Sequence, residues 1–179
     1  VERNPALNPA DIDDIIWGCV QQTLEQGFNV ARNAALLAGI PHSVPAVTVN
    51  RLCGSSMQAL HDAVRAIQTG MGEVYLIGGV EHMGNHPMGE GMDPNPRYLA
   101  EKIVEQDALA MGNTAERLHD RFPAITKERA DRYALGSQEK TAKAYAAGKI
   151  QKDLIPTATR NPELGWSIAT VDEPPRPGT

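Results

Sequence analysis

The stretch Pro45-Ala-Val-Thr-Val-Asn-Arg-Leu-Cys-Gly-Ser-Ser56 joins a strand pattern to the start of a helix pattern. Its first half is rich in β-branched residues and predicts a buried strand over residues 45–50. The residues after it predict a helix that ends at Gly70, because apolar side chains recur three and four residues apart on one face, at Met57, Leu60, Val64 and Ile67. Cys53 therefore lies at a turn from a strand into a helix.

The segments on either side continue the alternation of strands and helices. Residues 15–20 form a short run without regular alternation, which is typical of a strand buried on both faces. Residues 29–38 carry apolar side chains at helical spacing and precede Gly39, a residue type that commonly ends helices. Residues 73–77 predict a third strand. This succession predicts an α/β fold with a mostly parallel sheet.

The pattern changes at Met83. Residues 84–96 are dominated by Gly, Pro and Asn, which is typical of turns and loops. Beyond them, helical periodicity returns. The elements predicted there are helices over 111–122 and 126–148 and a short strand over 153–156. We therefore predict an α/β core at residues 1–82 and a second region at residues 83–179.

The composition excludes several classes of protein. With 22 acidic and 17 basic residues and no block of like charge, the chain lacks the basic surface of a nucleic-acid-binding protein. No apolar run approaches the roughly 18 residues of a membrane span, and no secretory signal opens the chain. We therefore expect a cytoplasmic location, with an organellar chain already stripped of its targeting sequence as the alternative. Two cysteines without a Cys/His cluster predict neither a disulfide scaffold nor a metal site. Val1 in place of Met and a Pro-rich last stretch predict truncation at both ends.

The position of Cys53 suits a nucleophile. The positive end of a helix dipole and its unpaired N–H groups favour a thiolate, and a thiolate attacks thioesters well. Gly54 leaves room beside the sulfur for an acyl chain. On local chemistry alone, the alternative of a small buried residue stays open for Cys53. For Cys19, in the middle of a predicted strand, that alternative is the one we expect.

Three motifs resemble those of the thiolase family. Residues 49–60 resemble the active-site segment, with its pattern Asn-x-x-Cys-(Gly/Ala)-Ser-(Gly/Ser). Residues 78–83 are similar to the family's Gly-Gly-x-Glu-x-Met, and residues 111–116 to its Met-Gly-x-Thr-Ala-Glu. Residues 17–27 and 41–45 are most similar to the degradative 3-ketoacyl-CoA thiolases, among them the β subunit of the bacterial fatty-acid-oxidation complex.

The resemblance implies a fold and a reaction. The fold is the N-terminal half of a thiolase in α/β/α layers, with an inserted loop domain and without the first strand, which we expect near the middle of the sheet. The reaction is thiolytic cleavage of 3-ketoacyl-CoA by an acetyl-CoA C-acyltransferase of fatty-acid β-oxidation, through an acyl-enzyme on Cys53. The Cys53 N–H would stabilise the oxyanion, and Met111 would contact the pantetheine arm. Coenzyme A is a co-substrate, and no cofactor is expected.

The resemblance also implies partners and limits. The family's catalytic His, second Cys and Asn belong to the C-terminal half, so we expect this chain alone to be inactive and poorly stable. His82 and His86 flank a loop and either face a substrate channel or are structural. A homodimer or tetramer formed through residues 45–50 is expected, with a hydratase/dehydrogenase α subunit as a further partner. Two alternatives remain: a biosynthetic acetoacetyl-CoA thiolase, and a non-catalytic acyl-CoA-binding or interaction protein of thiolase-like fold.

Overall fold

A three-stranded parallel sheet organises the first part of the chain. The computed structural model describes residues 1–161, 163 and 165–176. Strand β1 (Asp14–Gly18) lies in the middle, between β2 (Ala46–Val49) and β3 (Tyr75–Gly79), and pairs in parallel with both. Gly18 is in register with the last residue of each neighbour, so all three strands end at one edge of the sheet. The predicted parallel α/β architecture is confirmed.

One helix covers each face of the sheet. Successive side chains of a strand point to opposite faces. On β1, Ile15 therefore packs with Ala31 of helix α1 (Val30–Leu37), whereas Ile16 packs with Ala59 of helix α2 (Ser55–Gln68). All four side chains are buried. The two clusters form the α/β/α layers that the resemblance implies.

Helix α2 faces the sheet with small residues. Its buried positions are Ser55, Ala59 and Ala63, and these let the helix backbone lie close to the sheet. A Cβ at Gly18 would lie only 2.6 Å from backbone atoms of Ser55 and Ser56. The bulky apolar stripe that the periodicity predicts is real, but it faces away from the sheet and is 41–58% exposed, at Met57, Leu60, Val64 and Ile67.

The three strands of the sheet leave no gap between them. Without the first strand of the family, the sequence left two outcomes open: the strands surround a gap, or they close up in a different order. In the structure, β1 is hydrogen-bonded directly to β2 and β3, so any further strand would have to pair outside one of them. The exposed stripe of α2, rather than a missing centre, is therefore the physical reason to expect low stability for the isolated chain.

Two carboxylates determine where the strands begin and end. β3 starts at Tyr75 rather than at the predicted residue 73, because the N–H groups of Glu73 and Val74 donate to Asp13 Oδ2 at 2.7 and 2.9 Å. β1 stops at Gly18 rather than at residue 20. Beyond it, the N–H groups of Val20 and Gln21 donate to the carboxylate of Glu81.

The loop after β3 belongs with the sheet. The chain forms two compact units, Val1–Asp93 and Pro94–Thr179, whereas the sequence indicates a change of character at residue 83. Side-chain hydrogen bonds attach residues 81–87 to residues 20–26. One example is the Gln21 side chain, which donates to the Pro87 carbonyl at 2.9 Å.

The second unit is open in its packing. Its elements are α3 (Arg97–Ala100), α4 (Met111–Arg121), α5 (Lys127–Ala146) and the antiparallel pair β4 (Thr157–Asn161) and β5 (Gly165–Ala169). The strand predicted at residues 153–156 is wrong, because a 3-10 helix, Gln151–Asp153, precedes β4. None of the described residues of the second unit is buried. Over the described residues of the whole chain, no helix is long and apolar enough to cross a membrane.

The close contact at Gly18 predicts the effect of adding one methyl group. Gly18→Ala places a Cβ against the backbone of α2, which cannot move aside as a flexible side chain would. We expect a loss of about 1–3 kcal/mol in the free energy of unfolding, measured by urea titration of the full-length protein. Gly136→Ala is the matched control: a Cβ there meets nothing within 4 Å, and α5 should gain stability. Equal effects would contradict the close-approach argument.

Candidate active site

The turn between β2 and α2 has an uncommon backbone conformation. Leu52 has a φ of 48°, in the left-handed region that residues with a Cβ adopt rarely. Its N–H donates to Asn50 Oδ1 at 2.9 Å, and its carbonyl accepts from Ser55 Oγ at 2.6 Å. Strain of this kind, about 1–3 kcal/mol, persists only where the surroundings enforce it. These hydrogen bonds therefore fix the direction in which the next residue, Cys53, leaves the turn.

The two cysteines have opposite environments. Cys53 is exposed, so the alternative of a small buried residue does not hold for it. Cys19 is 1% exposed, and that alternative does hold for it. Burial raises the pKa of the Cys19 thiol, and the charge of Glu81 raises this pKa further. Cys53 is thus the accessible thiol, and Cys19 is kept in its protonated form.

The N–H groups around Cys53 differ in their hydrogen bonds. The Gly54 and Ser55 N–H groups donate to the Arg51 and Leu52 carbonyls, both at 3.0 Å, whereas the Cys53 N–H makes no well-formed hydrogen bond to a described residue, which suits an oxyanion donor. Gly54 follows as the N-cap of α2, and a Cβ there would approach the Arg51 carbonyl to 3.4 Å. The predicted roles of Cys53 as nucleophile and of Gly54 beside the acyl group stay predictions.

Glu81 is a site residue whose role the sequence did not reveal. Its carboxylate accepts hydrogen bonds from the N–H groups of Val20 at 2.8 Å and Gln21 at 3.2 Å, and from Gln26 Nε2 at 3.2 Å. Burial raises the pKa of Glu81, but these three donors outweigh it and hold the pKa below its usual range. The Gly-Gly-x-Glu-x-Met motif singled out this residue, but its partners lie about 60 residues earlier in the chain.

The two loop histidines differ in their surroundings. His86 is 2% exposed, with Nδ1 2.9 Å from Thr23 Oγ1 and Nε2 3.3 Å from Glu25 Oε2. This burial favours the structural alternative for His86. His82 is exposed, and its Nδ1 accepts from the Asn85 N–H at 3.1 Å. His82 is therefore engaged within its own loop.

The remaining predicted contact lies in the second unit. Met111 is the first residue of α4, and its side chain is 75% exposed. Its contact with the pantetheine arm stays a prediction. A surface depression of about 590 Å³ in this unit is lined by polar side chains from Glu105 to Arg117 and contains none of the predicted site residues. Among the described residues, no group of three His, Cys, Asp or Glu side chains could hold a metal ion.

Known proteins resemble the chain along its whole length. The family model for the thiolase N-terminal domain matches residues 1–179. A 3-ketoacyl-CoA thiolase of Pseudoalteromonas translucida is 56% identical over 179 residues, and one of Cronobacter sakazakii is 54% identical. The crystal structure of the Bacillus anthracis acetyl-CoA acetyltransferase matches 97% of the chain with a TM-score of 0.74 and 33% identity. The chain covers 45–46% of these three proteins, about half of their length.

The fold and the turn first define a class: α/β proteins that carry an exposed cysteine between a strand of a parallel sheet and a helix. Within this class, the chain belongs to the thiolase family. The membership predicted from the three motifs is confirmed, and so is the resemblance to 3-ketoacyl-CoA thiolases.

The contrast between the two thiols predicts selective alkylation. In the folded full-length protein, a limiting amount of iodoacetamide should modify Cys53 at least about tenfold faster than Cys19, because only Cys53 is accessible and Cys19 stays protonated. Peptide mass spectrometry measures the two rates separately. Unfolding in urea is the control and should bring the rates close together. Labelling mainly at Cys19 in the folded protein would contradict the assignment.

Proposed function

We propose that this chain is the N-terminal half of a 3-ketoacyl-CoA thiolase, an acetyl-CoA C-acyltransferase that acts in fatty-acid β-oxidation. The observation that carries the proposal is the exposed Cys53 on a strained strand-to-helix turn, inside a chain 54–56% identical to proteins named 3-ketoacyl-CoA thiolase. An exposed thiol held at a fixed angle is what covalent acyl transfer needs.

The first half-reaction forms an acyl-enzyme. The Cys53 thiolate attacks the keto carbon of a 3-ketoacyl-CoA and makes a tetrahedral intermediate. The Cys53 N–H, which makes no well-formed hydrogen bond to a described residue, donates to the oxyanion. The bond between C2 and C3 then breaks, and its electron pair leaves with the acetyl-CoA enolate, which takes up a proton.

The second half-reaction returns the enzyme to its starting state. The thiolate of a second coenzyme A attacks the Cys53 thioester, and the shortened acyl-CoA leaves as Cys53 regains its negative charge. Both half-reactions need groups that move protons. The family resemblance assigns these to a His, a second Cys and an Asn of the C-terminal half. This chain therefore supplies the nucleophile, while proton transfer requires the other half.

Two alternatives have weaker support. The 33% identity to an acetyl-CoA acetyltransferase keeps a biosynthetic thiolase as a candidate, but the identity to the 3-ketoacyl-CoA thiolases is higher. A non-catalytic acyl-CoA-binding protein would have no use for an accessible thiol on a strained turn. The degradative thiolase remains the proposal, with acyl-CoA and coenzyme A as its substrates and the cytoplasm as its location.

The outer edge of β2 supports a dimer. No other described strand pairs with this edge. The side chain of Asn29 reaches it and donates to the Ala46 carbonyl at 2.8 Å, and Phe28 is the residue before Asn29 in the chain. Phe28 is fully exposed. An unpaired strand edge beside an exposed aromatic side chain is a suitable surface for a second copy of the chain. A hydratase/dehydrogenase α subunit is proposed as a further partner, from the resemblance alone.

Sedimentation should show a dimer or larger assembly for the full-length protein at micromolar concentration. Phe28→Asp should shift the equilibrium toward monomer, since it places a charge in the proposed interface. The Phe28 backbone has a φ of 57°, which Asp tolerates better than Phe, so the fold should not suffer. Met71→Asp, at a side chain that is 77% exposed elsewhere, is the matched control and should leave the assembly intact. A monomeric unsubstituted protein would contradict the proposal.

Thiolysis of acetoacetyl-CoA tests the proposed reaction. The full-length protein should turn over many times, and Cys53→Ser should abolish most of this activity, because a hydroxyl is a much weaker nucleophile near neutral pH. Cys19→Ser is the control and should retain activity. Residues 1–179 alone should be acylated at most once and should melt over a broad temperature range, with the apolar stripe of α2 uncovered. Multiple turnover by residues 1–179 would show that the groups for proton transfer have been assigned wrongly.

A further inference from the structure

One peptide group beside the active site is held from both sides. The peptide between Val20 and Gln21 lies in the loop after β1. Its N–H donates to Glu81 Oε1 at 3.2 Å, and its carbonyl accepts from Asn50 Nδ2 at 3.0 Å. The neighbouring Val20 N–H donates to Glu81 Oε2 at 2.8 Å. The peptide thus connects a carboxylate on the β3 loop to an amide on the turn that carries Cys53.

The hydrogen bonds continue into the strained turn. The same Asn50 side chain that donates through Nδ2 accepts the Leu52 N–H through Oδ1 at 2.9 Å. A carboxylate, a backbone amide and a side-chain amide therefore follow one another in a single chain of hydrogen bonds, which ends on the residue before Cys53. Each amide in such a chain polarises the next, and a charged acceptor at one end strengthens the whole series.

The carboxylate of Glu81, which begins this chain of hydrogen bonds, is itself held in place. Gln26 is 2% exposed, and its Nε2 donates both to Glu81 Oε1 at 3.2 Å and to the Gln21 carbonyl at 2.7 Å. Its Oε1 accepts the His82 N–H at 2.7 Å. A buried side chain therefore holds the Glu81 carboxylate in one orientation, toward the Val20–Gln21 peptide. An exposed carboxylate without such a partner would adopt several conformers.

We propose that Glu81 and Asn50 are positioning residues for Cys53, acting through the Val20–Gln21 peptide that they hold between them. Glu81 orients the peptide, the peptide orients the Asn50 amide, and the amide keeps Leu52 in its left-handed conformation. Neither side chain needs to touch the substrate. The proposal rests on the proposed role of Cys53 as the nucleophile.

The opposite edge of the sheet offers a natural comparison. Asp13 Oδ2 accepts the N–H groups of Glu73 and Val74, two consecutive residues, at 2.7 and 2.9 Å. Glu81 also accepts two consecutive N–H groups, one on each carboxylate oxygen, at the edge where Cys53 lies. Hydrogen bonds from those N–H groups are the largest cause that lowers the pKa of Asp13. Both carboxylates connect the flanks of β1 and β3, but only Glu81 is connected to the turn.

The experiment compares Glu81→Gln with Asp13→Asn in the full-length protein. Each substitution keeps the size of the side chain and removes its charge. We expect Glu81→Gln to lower both the alkylation rate of Cys53 and the kcat of thiolysis by about tenfold to a hundredfold, because small misplacements of a reacting atom have effects of this size. KM should stay within about twofold. Asp13→Asn should lower the melting temperature comparably and leave both rates within about twofold.

A second variant tests the other end of the hydrogen-bond chain. Asn50→Asp keeps the acceptor for the Leu52 N–H and removes the donor to the Val20 carbonyl. It should lower the alkylation rate of Cys53 as Glu81→Gln does. The double variant should be no slower than the slower single variant, since both act through one peptide. If Glu81→Gln does not fold, the alkylation rate of Cys53 in Asn50→Asp alone tests the positioning role.

The outcomes separate this proposal from the proposed function. Rates unchanged in Glu81→Gln, or lowered equally in Asp13→Asn, would overturn the positioning role while leaving Cys53 as the nucleophile. Fully additive effects of Glu81→Gln and Asn50→Asp would overturn the shared route through the peptide. If Cys53 of the unsubstituted protein is alkylated no faster than Cys19, the proposed function fails, and the positioning role fails with it.

Discussion

The approach of α2 to the end of β1 is the contact on which the rest of the site depends. Gly18 has no side chain, so the first turn of α2 can lie against the strand backbone. Gly79 is in register with it on β3, and a Cβ there would collide with Ser56. With both positions small, the turn between β2 and α2 must be short and tight. Cys53 is carried on that turn and is exposed.

The order of elements could be predicted from the sequence because it depends on local patterns. The sequence predicts β1, β2 and β3 and the helices α1, α2, α4 and α5 to within a few residues, but it does not predict β4 and β5. The orientation of α2 was not predictable in this way. Periodicity shows which residues share a face of the helix, but not which face packs on the sheet. In α2 the face with the small residues packs on the sheet. The direct pairing of β1 with both β2 and β3 was not predictable for a related reason, since pairing between strands depends on residues distant in the chain.

The candidate site was predictable in part. Cys53 could be singled out as a candidate nucleophile because its motif is contiguous and its chemistry is local. Glu81 could not be given a role, because its partners Val20 and Gln21 are brought beside it only by the pairing of β1 with β3. His86 shows the same limit: its burial depends on contacts with Thr23 and Glu25, residues that precede it by about 60 positions. Residues that act through tertiary contacts are therefore the ones a single sequence conceals.

An exposed turn needs a different kind of support from a buried side chain. Leu52 and Cys53 are both exposed, so close packing cannot hold the turn as it holds a core side chain. Hydrogen bonds must hold the turn instead of close packing. Among the described residues, the side chains that bond to Leu52 are those of Ser55 and Asn50. Ser55 is buried and bonds to the turn itself, so it supports the turn from the helix side. Asn50 is exposed and has no such anchor of its own, which is why its connection to Glu81 through the Val20–Gln21 peptide matters for the direction of the Cys53 sulfur.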